Sequence, residues 1–266
     1  MADARLMRIA RRVAALNTYL GEDFLGGPKR FRVADVINLQ KGSTAFYVAA
    51  LMLLYRNSSP AAWTMLGLYG SYGACWLVKD ACFPDPSWRK RVTAGGAGMT
   101  AFILGLYWVM PFLLISPVLG SKRRAPPPAL LAACTALHTL GVGIMLSADA
   151  QKFFTLRQRR GLITDGMFAR IRHPNYLGEM MAYAAYALLV RHPLPWVILG
   201  WIWTQIFGTN MLMIEASLSR YPEWNAYRAR TGMLLPRLHA SGARYLRTRS
   251  GPRSSIVNRR GLPEES

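Results

Sequence analysis

The sequence predicts an all-α, polytopic integral membrane protein with about six transmembrane helices plus interfacial helices, and three observations lead there. Of its 266 residues 52% are hydrophobic and the mean hydropathy is +0.14. Those apolar residues fall in long runs instead of narrow amphipathic stripes, as in segments that cross lipid. Secondly, 33 Lys and Arg stand against 13 Asp and Glu, a net charge of +20, and the cations crowd the connecting segments. Charge alone would suggest a nucleic-acid partner; the apolar runs exclude it and point to anionic membrane lipids or a phosphate-bearing cofactor. Thirdly, Cys75, Cys82 and Cys134 lack metal-ligand spacing, so neither a disulfide scaffold nor a metal site is expected.

Residues 1–40 form a basic amphipathic segment, with Arg5, Arg8, Arg11 and Arg12 set among apolar residues. An interfacial helix on the cytoplasmic side is favoured over a targeting segment because Asp3, Glu22 and Asp23 are acidic. No secretory signal peptide is expected. Residues 41–128 hold membrane helices 1–3, the expected substrate half. The first apolar run, Thr44 to Tyr55, is short and extends back into Val33 to Leu39. After the turn Arg56-Asn57-Ser58-Ser59-Pro60, the second span covers Ala61 to Val78. Along it Tyr69, Tyr72, Trp76, Lys79 and Asp80 follow at steps of three or four and draw one face, either a packing surface or a substrate wall. The third span, Val92 to Ser116, is interrupted by Pro111, and Gly95, Gly96 and Gly98 permit close helix approach. Re-entry at Pro111 instead of crossing is the alternative topology.

Residues 129–238 form the expected cofactor domain. Its spans are Ala129 to Leu146, Pro174 to Val190 and Leu194 to Ile214, the last two joined by the tight hairpin Arg191-His192-Pro193. Within the first of them, His138 reads as a helix-to-helix hydrogen bond. Ser147 to Arg160 is a basic amphipathic stretch, and Glu215 to Arg230 a surface helix anchored at the interface by Trp224 and Tyr227. Residues 239–266 read as a disordered basic tail. A cytoplasmic amino terminus puts the loops 79–91 and 147–173 and the tail on the cytoplasmic side, with Lys122-Arg123-Arg124 as the exception to the positive-inside rule.

The densest chemistry lies in Arg170-Ile171-Arg172-His173-Pro174-Asn175-Tyr176-Leu177-Gly178-Glu179. Pro174 suits the first position of a helix, where its missing N–H costs nothing. Asn175 and Glu179 then share a face at i, i+4. An ionisable Glu179 one turn inside an apolar helix needs a partner, a cavity or a ligand. Upstream, Asp149, Lys152 and Arg157, then Arg159, Arg160, Arg170 and Arg172, gather at the same end. For Arg159 and Arg160 lipid headgroups are the better partner; for Lys152 and Arg157 lipid and a phosphate clamp stand level.

Ser147-Ala148-Asp149-Ala150-Gln151-Lys152, Gly166-Met167-Phe168, Arg172 to Glu179, and then Glu215, Tyr221, Trp224, Tyr227 and Leu235-Pro236 resemble the carboxyl-terminal domain of the steroid 5-alpha-reductase family, in particular an uncharacterised branch of it. The Arg-His-Pro-Asn-Tyr-Leu-Gly string also resembles sterol reductases, and Arg-His-Pro with a downstream Glu and Tyr is shared with isoprenylcysteine and phospholipid methyltransferases. The resemblance implies a cofactor pocket opening to the cytoplasm, for NADPH in the reductases or S-adenosylmethionine in the methyltransferases. Asp149, Lys152, Arg157, Arg172, His173, Asn175, Tyr176, Glu179, Glu215 and Tyr227 are the residues expected at the cofactor; Glu179 is also expected to be catalytic, and Tyr72, mid-span on the aromatic face of the second helix, is the candidate acid. The resemblance implies NADPH-dependent reduction of a carbon–carbon double bond in a lipid or steroid-like substrate, in the endoplasmic reticulum or another internal membrane. S-adenosylmethionine-dependent methylation is the alternative, although Ile214-Glu215-Ala216 stands where those methyltransferases often carry two adjacent Glu. A non-catalytic sterol-binding or assembly subunit is a third reading. No equivalent of the carboxylate that steroid-accepting members carry on an early helix is evident.

Overall fold

In the computed structural model, which describes residues 2–119 and 125–237, the chain is almost entirely helical. Ten α-helices are found among the described residues: α1 Ala2–Glu22, α2 Val33–Leu54, α3 Pro60–Cys82, α4 Ala94–Gly105, α5 Val109–Ile115, α6 Pro128–Gln158, α7 Pro174–Val190, α8 Pro193–Ile202, α9 Thr209–Leu218 and α10 Trp224–Arg230. A two-residue antiparallel pair joins β1 (Phe31–Arg32) to β2 (Arg91–Val92). The tail 239–266 and the Lys122-Arg123-Arg124 exception lie outside the described residues.

Three stretches are long and apolar enough to cross a membrane: Ala94–Ile115, Pro128–Gln158 and Pro193–Leu218. The other three expected spans, α2, α3 and α7, are not among these stretches. α2 carries Asp35 and Lys41, α3 carries Lys79 and Asp80, and both bury polar side chains. α7 has 17 residues, about 26 Å at 1.5 Å per residue, short of the roughly 20 residues of a typical span. It occupies the centre, with Ala182, Tyr183, Ala185, Tyr186, Ala187 and Leu189 all at 1% exposure or less.

Close crossings seat these helices. A β-carbon on Gly178 would fall 2.4 Å from the Gly141 carbonyl oxygen, so α6 and α7 meet backbone to backbone. One on Gly73 would fall 2.4 Å from the Lys41 carbonyl oxygen, which brings α3 hard against α2 at Lys41. Gly95 and Gly96 do permit close approach, to the carbonyls of Phe24 and Gly21 at the end of α1, whereas Gly98 faces open space.

Pro111 does not break the third span. The helix tightens to a 3₁₀ turn at Leu106–Trp108 and continues through α5. A proline removes the donor to the carbonyl four residues back, here Tyr107. The Tyr69 hydroxyl takes that place, donating to the Tyr107 oxygen at 2.8 Å. The expected stretch from Ser147 to Arg160 is the continuation of α6, and α2 runs unbroken through Gly42 and Ser43. The expected surface helix from Glu215 to Arg230 divides. Glu215 belongs to α9, a turn follows Leu218, and α10 buries Trp224 and Tyr227 at 4% and 2% exposure instead of setting them as interface anchors.

Candidate functional site

α7 begins at Pro174, as its sequence predicts, and carries Asn175 and Glu179 on its first two turns. Both side chains are half-buried. Asn175 makes no side-chain hydrogen bond among the described residues; Glu179 accepts one from the Tyr72 hydroxyl at 3.1 Å. That contact joins α3 to α7 and ties together the two residues expected to be catalytic.

Behind Tyr72 stands a residue the sequence reading passed over. Lys41 of α2, 4% exposed, donates to Tyr72 at 3.5 Å and to the Tyr183 hydroxyl. Its ammonium also lies 4.6 Å from the Tyr72 ring centre, 5.0 Å from Trp76 and Tyr183, and 5.3 Å from Tyr107. A buried cation is tolerated where hydrogen bonds and ring faces replace water. Half-buried Glu179 and buried Tyr72, Lys41 and Tyr183 therefore form one hydrogen-bonded chain that links carboxylate to ammonium through Tyr72. In sequence Lys41 looked like the polar boundary of a short apolar run; only the passage of α2 through Gly42 and Ser43 puts it inside. His138, as read, bonds helix to helix, with Nε2 2.8 Å from the Tyr186 hydroxyl.

A second group lies where α3 and α6 end. Lys79 pairs with Asp149 at 2.5 Å and stacks under Trp76 and Trp88, and Lys152 pairs loosely with Asp85 at 3.7 Å. Arg157 lies over the Phe153 ring and has no ion-pair partner among the described residues. These five charged residues, with Phe83, Phe153 and Leu156, line a cavity of 210 Å³ holding three cations against two carboxylates. Burial works against the charge on Asp85, but the Lys152 ammonium and hydrogen bonds from Ser87 outweigh it, and its carboxyl is held below the usual carboxylate range.

A third group is a clasp. Arg172 donates from Nε to Glu215 at 2.6 Å and from Nη1 to the Thr231 carbonyl at 2.6 Å, and its guanidinium lies over Trp224. The backbone N–H groups of Arg172 and His173 donate to the carbonyls of Gly232 and Met233, pinning the segment after α10 beside the start of α7. His173 Nε2 sits 3.4 Å from the same Glu215 oxygen, buried and without a well-aligned hydrogen bond. Tyr227 donates to the Phe168 carbonyl at 2.8 Å. Burial raises its phenol to about 12, against the opposing pull of Arg172 and Arg230, so it stays a donor. Tyr176 packs edge-on against His173 and Phe207. Of the residues expected at a cofactor, then, Asp149, Lys152 and Arg157 share one cavity, while Arg172, Glu215 and Tyr227 spend their polar groups on one another and on backbone.

A family of proteins of unknown function, DUF1295, matches residues 85–231. The chain belongs to that family. DUF1295 is a family of the steroid 5-alpha-reductase-like superfamily, and the matched residues include Asp85, Asp149, the start of α7 and Glu215, while Lys41 and Tyr72 precede them. Two uncharacterized proteins of Schizosaccharomyces pombe are similar in part. One is 30% identical over 96 residues, 34% of this chain and 28% of that protein; the other is 38% identical over 56 residues, 21% of this chain and 19% of that protein. The chain thus spans less than a third of the length of either relative. No solved structure matches it.

Proposed function

We propose that this DUF1295 protein is a membrane-embedded, NADPH-dependent reductase of a carbon–carbon double bond in a lipid-like substrate. The observation that carries the reading is the Tyr72 hydroxyl held between the Glu179 carboxylate at 3.1 Å and the Lys41 ammonium at 3.5 Å. Reducing an activated double bond needs a hydride at one carbon and a proton at the other. NADPH, when bound, supplies the hydride. Tyr72 holds the proton at Oη, Lys41 stabilises the negative charge left on that oxygen, and half-buried Glu179 relays a replacement proton from water to the buried chain.

The residues present fit the charged end of such a cofactor. Lys152 and Arg157 would hold its phosphates, since Arg157 has no ion partner among the described residues and Lys152 is only loosely paired, and the Asn175 amide would meet the nicotinamide carboxamide. The cavity, at 210 Å³, is smaller than the roughly 300–1,000 Å³ of whole-ligand pockets and takes a phosphate-bearing end alone. S-adenosylmethionine would rely on Glu215 for its amine, and that carboxylate is already engaged by Arg172, so methyl transfer is the weaker reading. The direct test is NADPH consumption by the purified protein with unsaturated lipid ketones. Tyr72→Phe should lower turnover by roughly a hundred- to ten-thousand-fold. Turnover untouched by Tyr72→Phe would remove Tyr72 as the acid, and absence of consumption with every unsaturated lipid would contradict the reductase.

A further inference from the structure

Helix α1 divides lengthwise into a docked face and an outward one. The docked face buries Ala10, donates from Asn17 Nδ2 to the Gln205 carbonyl at 2.9 Å, and presents Gly21 so closely to α4 that a β-carbon on Gly96 would lie 2.7 Å from its carbonyl oxygen. The helices it docks on, α4 and α9, belong to two of the three stretches able to cross a membrane. The outward face of α1 is therefore held beside two candidate membrane-crossing stretches. It carries a stripe of Leu6, Ile9, Leu16 and Tyr19, each about half exposed at 49–55%. Four arginines, all exposed, accompany this stripe: Arg8 and Arg11 flank it on one side, and Arg5 and Arg12 lie in line with it between Tyr19 and Leu16. The acid near the docked end, Glu22, is already ion-paired with Lys90.

We infer that α1 is a docking surface for an anionic lipid leaflet. The stripe enters the boundary between headgroups and acyl chains, and the arginines hold lipid phosphates in the forked geometry that guanidinium favours. Zwitterionic lipid satisfies the stripe but leaves four like charges side by side, so the match is to a leaflet of net negative charge. The far end of α1 carries this contact to the candidate site. The Glu22 carbonyl accepts from the Thr93 N–H at 3.0 Å, the Phe24 carbonyl accepts from the Thr93 hydroxyl at 2.9 Å, and Lys90 completes the clamp. The loop so held, residues 83–93, supplies Asp85 to the cationic cavity and Trp88 to the face of Lys79.

Hydrogen exchange on the whole chain, in nanodiscs of phosphatidylcholine alone or mixed with phosphatidylglycerol, tests the inference. Amides 4–16 should exchange roughly tenfold more slowly in the anionic mixture, several surface cations each adding to the attraction. Protection of amides 83–93 should rise with them, and α7 should not respond. High salt, or Arg5→Gln, Arg8→Gln, Arg11→Gln and Arg12→Gln combined, should abolish the difference while leaving α7 protected, which shows the variant folded. Equal exchange in the two lipids would overturn the inference even if the variant failed to fold. Slowing that survives the fourfold change, or that grows with protein density instead of anionic lipid, would overturn it too, the latter assigning the face to a second copy of the chain.

Discussion

Glu179 is half-buried on an inner helix with a tyrosine hydroxyl as its hydrogen-bond partner, and the consequence of removing its charge separates two roles. If it serves the proton relay, Glu179→Gln keeps shape and bonding, leaves the protein folded in membranes, and lowers turnover by roughly ten- to a thousand-fold. If its role is purely structural, the loss should show instead as lowered expression without a specific activity defect, since the carboxylate reaches Lys41 only through Tyr72. Lys41→Met asks the converse question: it removes the ammonium beside Tyr72, and turnover should fall while its pH profile shifts upward, because the tyrosinate then lacks its cation. A pH profile identical to wild type would make Lys41 a packing residue. Glu179 was legible as a site residue because a lone carboxylate in an apolar run is costly. Lys41 was not, because its burial depends on Gly73 of another helix admitting α3 against its backbone.

At the scale of elements, the helices that carry the site are positioned by backbone crossings and by one repaired break. Gly178→Ala puts a β-carbon against the Gly141 carbonyl at 2.4 Å, and overpacking of that kind costs about 1 to 3 kcal/mol or more. Unfolding in detergent should register the loss, and unchanged stability would mean that the α6–α7 crossing is slack. Tyr69→Phe leaves the Tyr107 carbonyl without its donor, an expected cost of about 1 to 3 kcal/mol for a buried unsatisfied acceptor. The Pro174 start and the Arg191 turn of α7 were readable from local rules, since proline and chain reversal act within a few residues. Continuity through Pro111 was not, because the group that repairs it comes from Tyr69, 38 positions away. The division of the Glu215 to Arg230 segment was hidden as well: its aromatics look equally suited to an interface, and only the clasp of Arg172 on Glu215 and Thr231 turns Trp224 and Tyr227 inward.

For the whole molecule, three stretches are long and apolar enough to cross a membrane, α7 is buried in the core, and α2 and α3 each combine buried polar side chains with exposed apolar ones such as Phe46 and Trp63. Composition and periodicity made the helical, membrane-compatible class legible; three stretches have the length and hydropathy to cross against about six expected, because Asp35, Lys41, Lys79 and Asp80 lower the hydropathy of α2 and α3. If the cations of the 147–173 segment mark the cytoplasmic side, a cysteine placed at Arg159 should label from that side, and labelling only from the other would reverse the cavity's direction. In the proposed reductase the cationic cavity and the Glu179–Tyr72–Lys41 chain together serve NADPH. Thermal unfolding of the purified protein with NADPH or with S-adenosylmethionine separates the two cofactors, since a ligand at 100 times its dissociation constant adds about 2.7 kcal/mol. NADPH should stabilise the protein, and Lys152→Ala and Arg157→Ala should each weaken its binding by roughly 1 to 3 kcal/mol, as for hydrogen bonds to charged groups, so that most of the stabilisation is lost at the same NADPH concentration. Stabilisation by S-adenosylmethionine alone, or by neither, would contradict the reductase.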